Sequence, residues 1–341
     1  MTQRSGSLTQ TGQLLSRRKL LQAAGMASAL TSLHSGTAQA DTEGLVVLGQ
    51  EGWLYAAWDT VTQFNRPHFT TGVKVIGDAC AILKRAGIEV VLAVSPSKSR
   101  IYREFLPPEL KWAPEADKRY AAAMAYFSKS GVLMPDLASA FEAAHRAAPK
   151  TDLFFRTDTH WSPAGTEVAA NEVGRQILAS INLPPSEQPG KVFGDYVKRI
   201  QSKNNLADQL PPAVKAKYPK EIYTIRQENI ADSGASLLAD DAPDTVVIGN
   251  SYVQPKYMFS DYLSAALHRP IGLHWQVHAF GSYAILLEYL ASKAFKTTRP
   301  KLIVWNFTET DMEAPPDFKD FYGIHAMPND RFLSELARAV A

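Results

Sequence analysis

Three short runs of apolar residues constrain the fold of this chain more than any other feature. They are IEVVLAV at 88–94, TVVIG within DTVVIGNSY at 244–252, and KLIVWNF at 301–307. Such short, β-branched runs are typical of strands that are buried on both faces. Helical segments separate them, and this alternation predicts an α/β protein with a parallel central sheet covered by helices on both sides.

Turn and capping residues predict most of the remaining elements. LVVLGQEGWLY at 45–55 predicts a strand that turns at Gln50-Glu51-Gly52. Ser162 can cap a helix that has Pro163 at its first position. Helices are predicted at about 72–86, 115–129, 136–147, 163–181 and 281–296, and a short strand at 131–137.

Residues 183–240 interrupt this alternation. They are rich in proline and charge, with PPSEQPG and LPPAVKAKYPKE, and hold few long apolar runs. We expect them to form an insertion, with a β-ribbon around EIYTIRQ at 221–227, rather than a separate domain. Residues 41–341 are accordingly predicted to form a single domain.

The first 40 residues have the layout of an export signal. A basic head is followed by an apolar run of about 14 residues and by Ala38-Gln39-Ala40, an A-x-A cleavage site. Arg17-Arg18 within S-R-R-x-L-L resembles a twin-arginine signal. We therefore expect a periplasmic protein that is cleaved near Ala40; general secretion and an uncleaved anchor are the alternatives.

Charge and cysteine content narrow the possible partners. The formal net charge is +2, and loss of four basic residues in positions 1–40 would make it −2, which gives no reason to expect nucleic acid as a partner. Cys80 is the only cysteine, so an intrachain disulfide is impossible. It lies on the apolar face of a predicted helix, where a buried, inert thiol is expected.

The segment RTDTHWSPAGT at 156–166 places a carboxylate and an imidazole close together. Asp158 and His160 are two residues apart, and in an extended segment such side chains point to the same side. The carboxylate could then hold one ring nitrogen and leave the other free. This arrangement supplies the base and its orienting group in a hydrolytic triad.

A candidate nucleophile follows the second apolar run. Ser251 lies in Gly249-Asn250-Ser251-Tyr252, just past the predicted strand. In parallel sheets, sites form outside the carboxyl ends of the strands, where a serine hydroxyl is exposed beside backbone N–H groups. Alone, either motif could be structural, whereas together they supply a nucleophile, a base and an orienting group.

A metal centre is the competing chemistry. The chain has eight histidines, but no pair on a helix is combined with a carboxylate at zinc-site spacing. No metal site is therefore expected. The other histidines are interpreted as structural, or in the case of His34 as part of the export signal: His34, His68, His145, His268, His274, His278 and His325.

Four segments resemble the alginate O-acetyltransferase family of the AlgJ/AlgX type. They are VLGQEGWLY, SPSKSRIYREFLP, RTDTHWSPAGT and VVIGNSY, and Ser162 stands where the family motif has threonine. The resemblance implies an SGNH-hydrolase-like (flavodoxin-like) three-layer α/β/α fold. It also implies a circularly permuted motif order, because the Asp and His precede the Ser. The chain is more similar to AlgJ-type single-domain members than to AlgX-type members, which carry a carbohydrate-binding module.

The resemblance implies that Ser251 is the nucleophile, His160 the base and Asp158 its orienting group. Candidate oxyanion donors are the Ser251 N–H and the side chain or N–H of Asn250. Other candidates are residues that could stack on a sugar, hold an anionic sugar or line the cleft: Trp161, Tyr252, Lys98, Arg100, Tyr102 and Asn306. The alternative for Trp161 is a core position, for Asn306 a structural turn, and for Lys98 and Arg100 a solvated loop charge.

The function that we expect is transfer of an acetyl group, through a serine ester, onto hydroxyls of an alginate-like or cellulose-like exopolysaccharide. The resemblance also implies an acetyl-delivering membrane acyltransferase as partner, and no cofactor is expected. A carbohydrate acetylesterase would use the same three residues, with water as the acceptor. A non-catalytic carbohydrate-binding assembly protein is the third alternative.

Overall fold

The computed structural model describes residues 45–59, 61–229 and 243–341, and those from 45 onward belong to one compact unit. The predicted export signal lies outside the described residues. The strands are β1 Val46–Leu48, β2 Leu54–Ala56, β3 Glu89–Ser95, β4 Phe193–Ile200, β5 Ile222–Glu228, β6 Thr245–Gly249, β7 Gly272–Trp275 and β8 Leu302–Thr308. The helices are α1 Arg66–Arg85, α2 Lys98–Ile101, α3 Pro114–Asp117, α4 Arg119–Lys129, α5 Leu137–Ala147, α6 Pro163–Ser180, α7 Pro212–Lys215, α8 Phe259–Leu267, α9 Ser282–Ala291, α10 Lys293–Thr297, α11 Lys319–Tyr322 and α12 Asn329–Val340.

The central sheet is parallel and has the strand order β3-β8-β6-β7. Three of its four strands, β3, β8 and β6, are the apolar runs identified above, and β3 and β8 are paired from Glu89↔Leu302 to Ser95↔Thr308. Side chains alternate between the two faces, so Val90 and Leu92 pack on one side and Val91 and Ala93 on the other. The predicted parallel sheet is confirmed.

Helices cover both faces of this sheet. Helices α1, α4, α9 and α12 pack on one face, and α5, α6 and α8 pack on the other. The result is the predicted three-layer α/β/α arrangement. No helix within the described ranges is both long and apolar enough to span a bilayer.

Several predicted boundaries differ from the structure. Helix α1 begins at Arg66, capped by Asn65, whose side chain accepts a hydrogen bond from the His68 N–H at 3.1 Å. The predicted strand at 131–137 is wrong: only Leu133 bridges β3, because Pro135 has no N–H for a ladder. The predicted helices at 115–129 and 281–296 are each divided, at Lys118 and at Ser292.

The segment that was predicted to be an insertion lies between α6 and β6. Within its described part, β4 and β5 form a separate antiparallel ribbon, with Ile200 opposite Ile222. The ribbon that was expected around residues 221–227 is therefore present. The connection between its two strands approaches the segment that holds Asp158, as described below.

Candidate active site

The turn after β6 presents Ser251 at the carboxyl edge of the central sheet. Asn250 caps this turn, because its Oδ1 accepts a hydrogen bond from the Tyr252 N–H at 3.0 Å. Its Nδ2 donates to Asp311 Oδ2 at 3.3 Å. A Cβ at Gly249 would lie 2.7 Å from the Asn306 Cβ, so only glycine lets β6 end this close to β8. Ser251 itself is half-buried.

A tight turn, not an extended segment, joins Asp158 to His160. Asp158 Oδ1 accepts the His160 backbone N–H at 3.0 Å and is 2.6 Å from the same residue's Nδ1. The expectation of an extended segment is therefore wrong, although the two side chains do meet. Short Asp side chains favour such turns, because the carboxylate accepts from the backbone two residues on.

In the structure, Asp158, His160 and Ser251 form a triad of side chains joined by successive hydrogen bonds. His160 Nε2 lies 2.9 Å from Ser251 Oγ, on the opposite edge of the ring from Asp158. Asp158 is 1% and His160 7% exposed. An ionised carboxylate only accepts hydrogen bonds, so it keeps the proton on Nδ1 and leaves Nε2 to accept from the serine hydroxyl. A nucleophile, a base and an orienting group thus have the required spacing.

The electrostatics of Asp158 favour its charged form. Burial by itself raises the pKa of this carboxyl, but the hydrogen bond and charge of His160 outweigh burial and lower it below the ordinary value. Asp158 Oδ2 also accepts the Asn205 backbone N–H at 3.1 Å. Asp158 is therefore an anion that can stabilise a protonated His160 during a reaction.

The segment between α6 and β6 holds the Asp158 turn from outside. Asn205 Oδ1 accepts from the Thr159 N–H at 2.9 Å, and its Nδ2 donates to Thr159 Oγ1 at 3.0 Å. Glu221 accepts the backbone N–H groups of Arg156 and Thr157. Sequence reasoning missed Asn205 and Glu221, because single polar residues in a proline-rich segment give no periodic signal.

Lys98 holds the same turn from inside. Its side chain is 1% exposed, and its Nζ donates to the carbonyl groups of Arg156 at 2.9 Å and Asp158 at 3.1 Å. Burial lowers the pKa of Lys98 to about 7, against the opposing effect of Glu221 and other carboxylates. The prediction that Lys98 could hold an anionic sugar is therefore wrong, because it has no open path to a ligand.

Arg100 and Tyr102 are also held by contacts within the protein. Arg100 pairs with Glu309, at 2.6 Å from its Nη2 to Oε1. Tyr102 is 1% exposed, stacks on Trp53 at 4.0 Å between ring centroids, and accepts the Leu153 N–H at its hydroxyl. Their candidate roles in substrate binding are corrected to structural ones.

The remaining candidates brace the site instead of lining it. Trp161 is fully buried and donates from Nε1 to the Tyr252 carbonyl at 2.7 Å, while the Tyr252 hydroxyl donates to the Thr159 carbonyl at 2.8 Å. Neither ring can stack on a sugar, so that expectation is wrong. Asn306 is fully buried and bonds the Ala93 carbonyl at 2.9 Å, joining β8 to β3.

The Asn250 side chain is likewise committed to its neighbours, the Tyr252 N–H and Asp311. This favours the Ser251 backbone N–H over the Asn250 side chain as the oxyanion donor. Across the described ranges, no three His, Cys, Asp or Glu side chains are grouped as metal ligands would be. Burial raises the pKa of the Cys80 thiol, consistent with an inert core residue.

Comparison with known families places this geometry. The family model described as "SGNH hydrolase-like domain, acetyltransferase AlgX" matches residues 46–309, a range that includes Asp158, His160 and Ser251. The chain belongs to this family. Membership in the AlgX family confirms the resemblance drawn from the four sequence segments and the SGNH-hydrolase-like fold class.

Individual relatives agree with the family. The probable alginate O-acetylase AlgJ of Pseudomonas syringae pv. tomato is 30% identical over 288 residues, which are 81% of this chain and 71% of AlgJ. The alginate biosynthesis protein AlgX of Pseudomonas aeruginosa is 28% identical over 291 residues, 83% of this chain and 59% of AlgX. The O-acetyltransferase domain of Pseudomonas putida AlgJ superposes with a TM-score of 0.66 at 25% identity, covering 86% of this chain and 98% of that domain.

Proposed function

We propose that this protein is an O-acetyltransferase that acetylates hydroxyl groups of an exopolysaccharide in the periplasm. The observation that carries the proposal is the Asp158–His160–Ser251 triad in a chain of the AlgX family. In this triad, Asp158 Oδ1 lies 2.6 Å from His160 Nδ1, and His160 Nε2 lies 2.9 Å from Ser251 Oγ. The relatives named as alginate O-acetylases support an alginate-like acceptor. The twin-arginine pattern at Arg17-Arg18 supports export.

In the first half-reaction, Ser251 takes the acetyl group. Ser251 Oγ attacks the acetyl carbonyl of the donor ester while its proton passes to His160 Nε2, and Asp158 stabilises the resulting imidazolium. The Ser251 N–H donates to the oxyanion of the tetrahedral intermediate. The intermediate then collapses: the bond from the carbonyl carbon to the donor oxygen breaks, that oxygen takes the proton from His160, and acetyl-Ser251 remains.

In the second half-reaction, a sugar hydroxyl replaces the donor. Its oxygen attacks the acetyl carbon of acetyl-Ser251 and its proton passes to His160. Collapse of the second intermediate breaks the ester bond to Ser251, whose Oγ regains the proton, and the acetylated sugar leaves. Both half-reactions are proton transfers and acyl transfers, so the cycle balances without a cofactor. The acetyl donor would be presented by a membrane acyltransferase partner.

The experiment that tests this function distinguishes transfer from hydrolysis. With a small acetyl ester as donor, we expect oligosaccharides of the acceptor polymer to gain acetyl mass, because a bound and oriented hydroxyl can have an effective molarity of about 10⁵ M or more against water at about 55 M. Mass spectrometry of the oligomers measures the gain. Release of acetate without any gain, together with deacetylation of pre-acetylated oligomers, would replace the transferase with an esterase.

Export is tested separately. Changing both Arg17 and Arg18 to lysine is expected to leave the precursor in the cytoplasm, because a twin-arginine translocase reads the paired arginines. Cell fractionation and the mobility of the cleaved chain measure this. The matched control changes Lys19 to arginine, which leaves the pair intact. Efficient export and cleavage of the double variant would show that another route is used.

A further inference from the structure

We infer that the cavity lined by Trp58 and His68 binds one pyranose ring of the acceptor polysaccharide; this rests on the proposed function. The cavity measures about 720 Å³, a size typical of small-ligand sites. Its walls come from the loop before α1, from the start of α4 and from the segment after β8. Aromatic and charged side chains dominate the wall: Trp58, His68, Phe318 and Phe321, with Arg66, Arg119 and Glu313.

The wall is aromatic and accessible. Trp58 is 40% exposed, whereas tryptophan side chains are highly buried on average. In the same wall, the rings of Phe318 and Phe321 lie 10° from parallel with centroids 6.2 Å apart. Flat aromatic faces suit the C–H face of a pyranose, because that face is apolar and flat while the ring hydroxyls point outward.

Two polar atoms in the wall lack partners among the described residues. Arg119 is 2% exposed; its Nε pairs with Glu309 and its Nη1 with Glu313, but its buried Nη2 has no hydrogen-bond acceptor. The buried Nδ1 of His68 is also unpaired. Native proteins rarely leave buried donors and acceptors unpaired, and both residues line the cavity, so the proposal assigns a hydroxylated ligand as their missing partner.

His278 connects the cavity to the nucleophile turn. Its ring stacks on Trp58 at 5.5 Å and meets the edge of Phe321 at 5.1 Å. Its Nε2 lies 3.4 Å from Asp311 Oδ1, and the other oxygen of Asp311 accepts from Asn250, the residue before Ser251. These contacts connect the cavity wall to the nucleophile turn, so the proposal directs the neighbouring sugar units of a bound polymer toward Ser251.

The charges in the cavity wall are compatible with either a neutral sugar or a uronic acid as the acceptor. Glu313 partly neutralises Arg119, with 2.5 Å between Oε1 and Nη1, and Glu115 pairs with the more exposed Arg66. A neutral sugar and a uronic acid share the ring and hydroxyl groups that the cavity recognises. An oligomannuronate and a cello-oligosaccharide, used as separate acceptors, distinguish them by their KM values.

The test compares acceptor KM between variants. Trp58→Ala is expected to raise the KM for the better acceptor at least tenfold, which corresponds to about 1.4 kcal/mol of lost binding, with a smaller change in kcat at saturating acceptor. His68→Phe keeps a ring but removes Nδ1, and it should raise the same KM. Tyr196→Ala is the matched control: this aromatic residue is 54% exposed but lies on the ribbon strand β4, and its KM should stay unchanged.

Acyl-enzyme formation separates the two proposals. If the wild-type protein forms no acetyl-Ser251 by intact mass, the proposed function fails. If acetyl-Ser251 forms but neither Trp58→Ala nor His68→Phe changes the acceptor KM, the cavity does not bind the acceptor. An increase of the same size in Tyr196→Ala would also overturn the inference, because the effect would then not be specific to the cavity.

Discussion

Ser251→Ala is expected to reduce acetyl-ester turnover by a factor on the order of 10⁴ or more. The variant lacks the oxygen that would carry the acetyl group, so the route through a serine ester is closed. The substitution removes one half-buried hydroxyl and leaves the turn capped by Asn250, so the fold should persist. Release of acetate from a chromogenic ester measures turnover, and circular dichroism measures folding.

Two comparisons make this result specific. Ser130→Ala changes an exposed serine at the end of α4 and should leave turnover unaltered. The triple variant lacking Ser251, His160 and Asp158 side chains should be little worse than Ser251→Ala alone, because residues that act as a unit are non-additive. Full activity of Ser251→Ala would remove Ser251 as the nucleophile and return attention to other chemistry, including a metal centre.

Strands with strong apolar signals were predictable, and the weaker elements were not. β3, β6 and β8 are buried on both faces, and their sequences show it. β7 is a four-residue edge strand whose residues are all half-buried, so its sequence shows neither an apolar run nor an alternating pattern that would distinguish it from a turn. Helix α8 follows Met258 at φ 65° and has no capping side chain, so it lacks a start signal. By contrast, α12 buries Phe332, Leu336 and Val340 at helical spacing, a signal that sequence reading could have used.

The site could be predicted only where its residues are close in sequence or follow a strand. The spacing of Asp158 and His160 brings their side chains together through a local turn, and Ser251 follows a recognisable strand. Asn205 and Glu221 reach the same turn from positions 46 to 65 residues away, a separation that no local pattern records. Cross-chain hydrogen bonds of this kind depend on the packing of the complete fold.

Charged residues misled the sequence reading for a related reason. Lys98 and Arg100 lie in a short segment after β3 and resemble solvated loop charges. In the structure Lys98 is capped by backbone carbonyl groups, and Arg100 meets Glu309, a residue 209 positions away. Glu309 is fully buried, and the Ser97 N–H also donates to it at 3.0 Å. This carboxylate therefore joins the segment after β3 to the segment after β8.

Glu309→Gln is expected to lower the free energy of unfolding by about 3–5 kcal/mol, because removing one member of a buried ion pair leaves uncompensated charge. Glu309 binds Arg100 and Arg119, whose side chains are 11% and 2% exposed. Burial raises its pKa, but the two arginines outweigh burial and lower it below the ordinary value. Ionised Glu309 therefore stabilises the fold fully above the pKa of a free glutamate, and this stabilisation is lost as pH falls through its lowered pKa. The difference in the free energy of unfolding between wild type and variant should therefore narrow in acid. Denaturant unfolding at several pH values measures this difference.

The control is Glu115→Gln. Glu115 pairs with Arg66, both side chains are exposed, and losing this pair should lower the free energy of unfolding by at most about 1 kcal/mol. Equal losses in the two variants would show that the buried ion pair stabilises the fold no more than the exposed one.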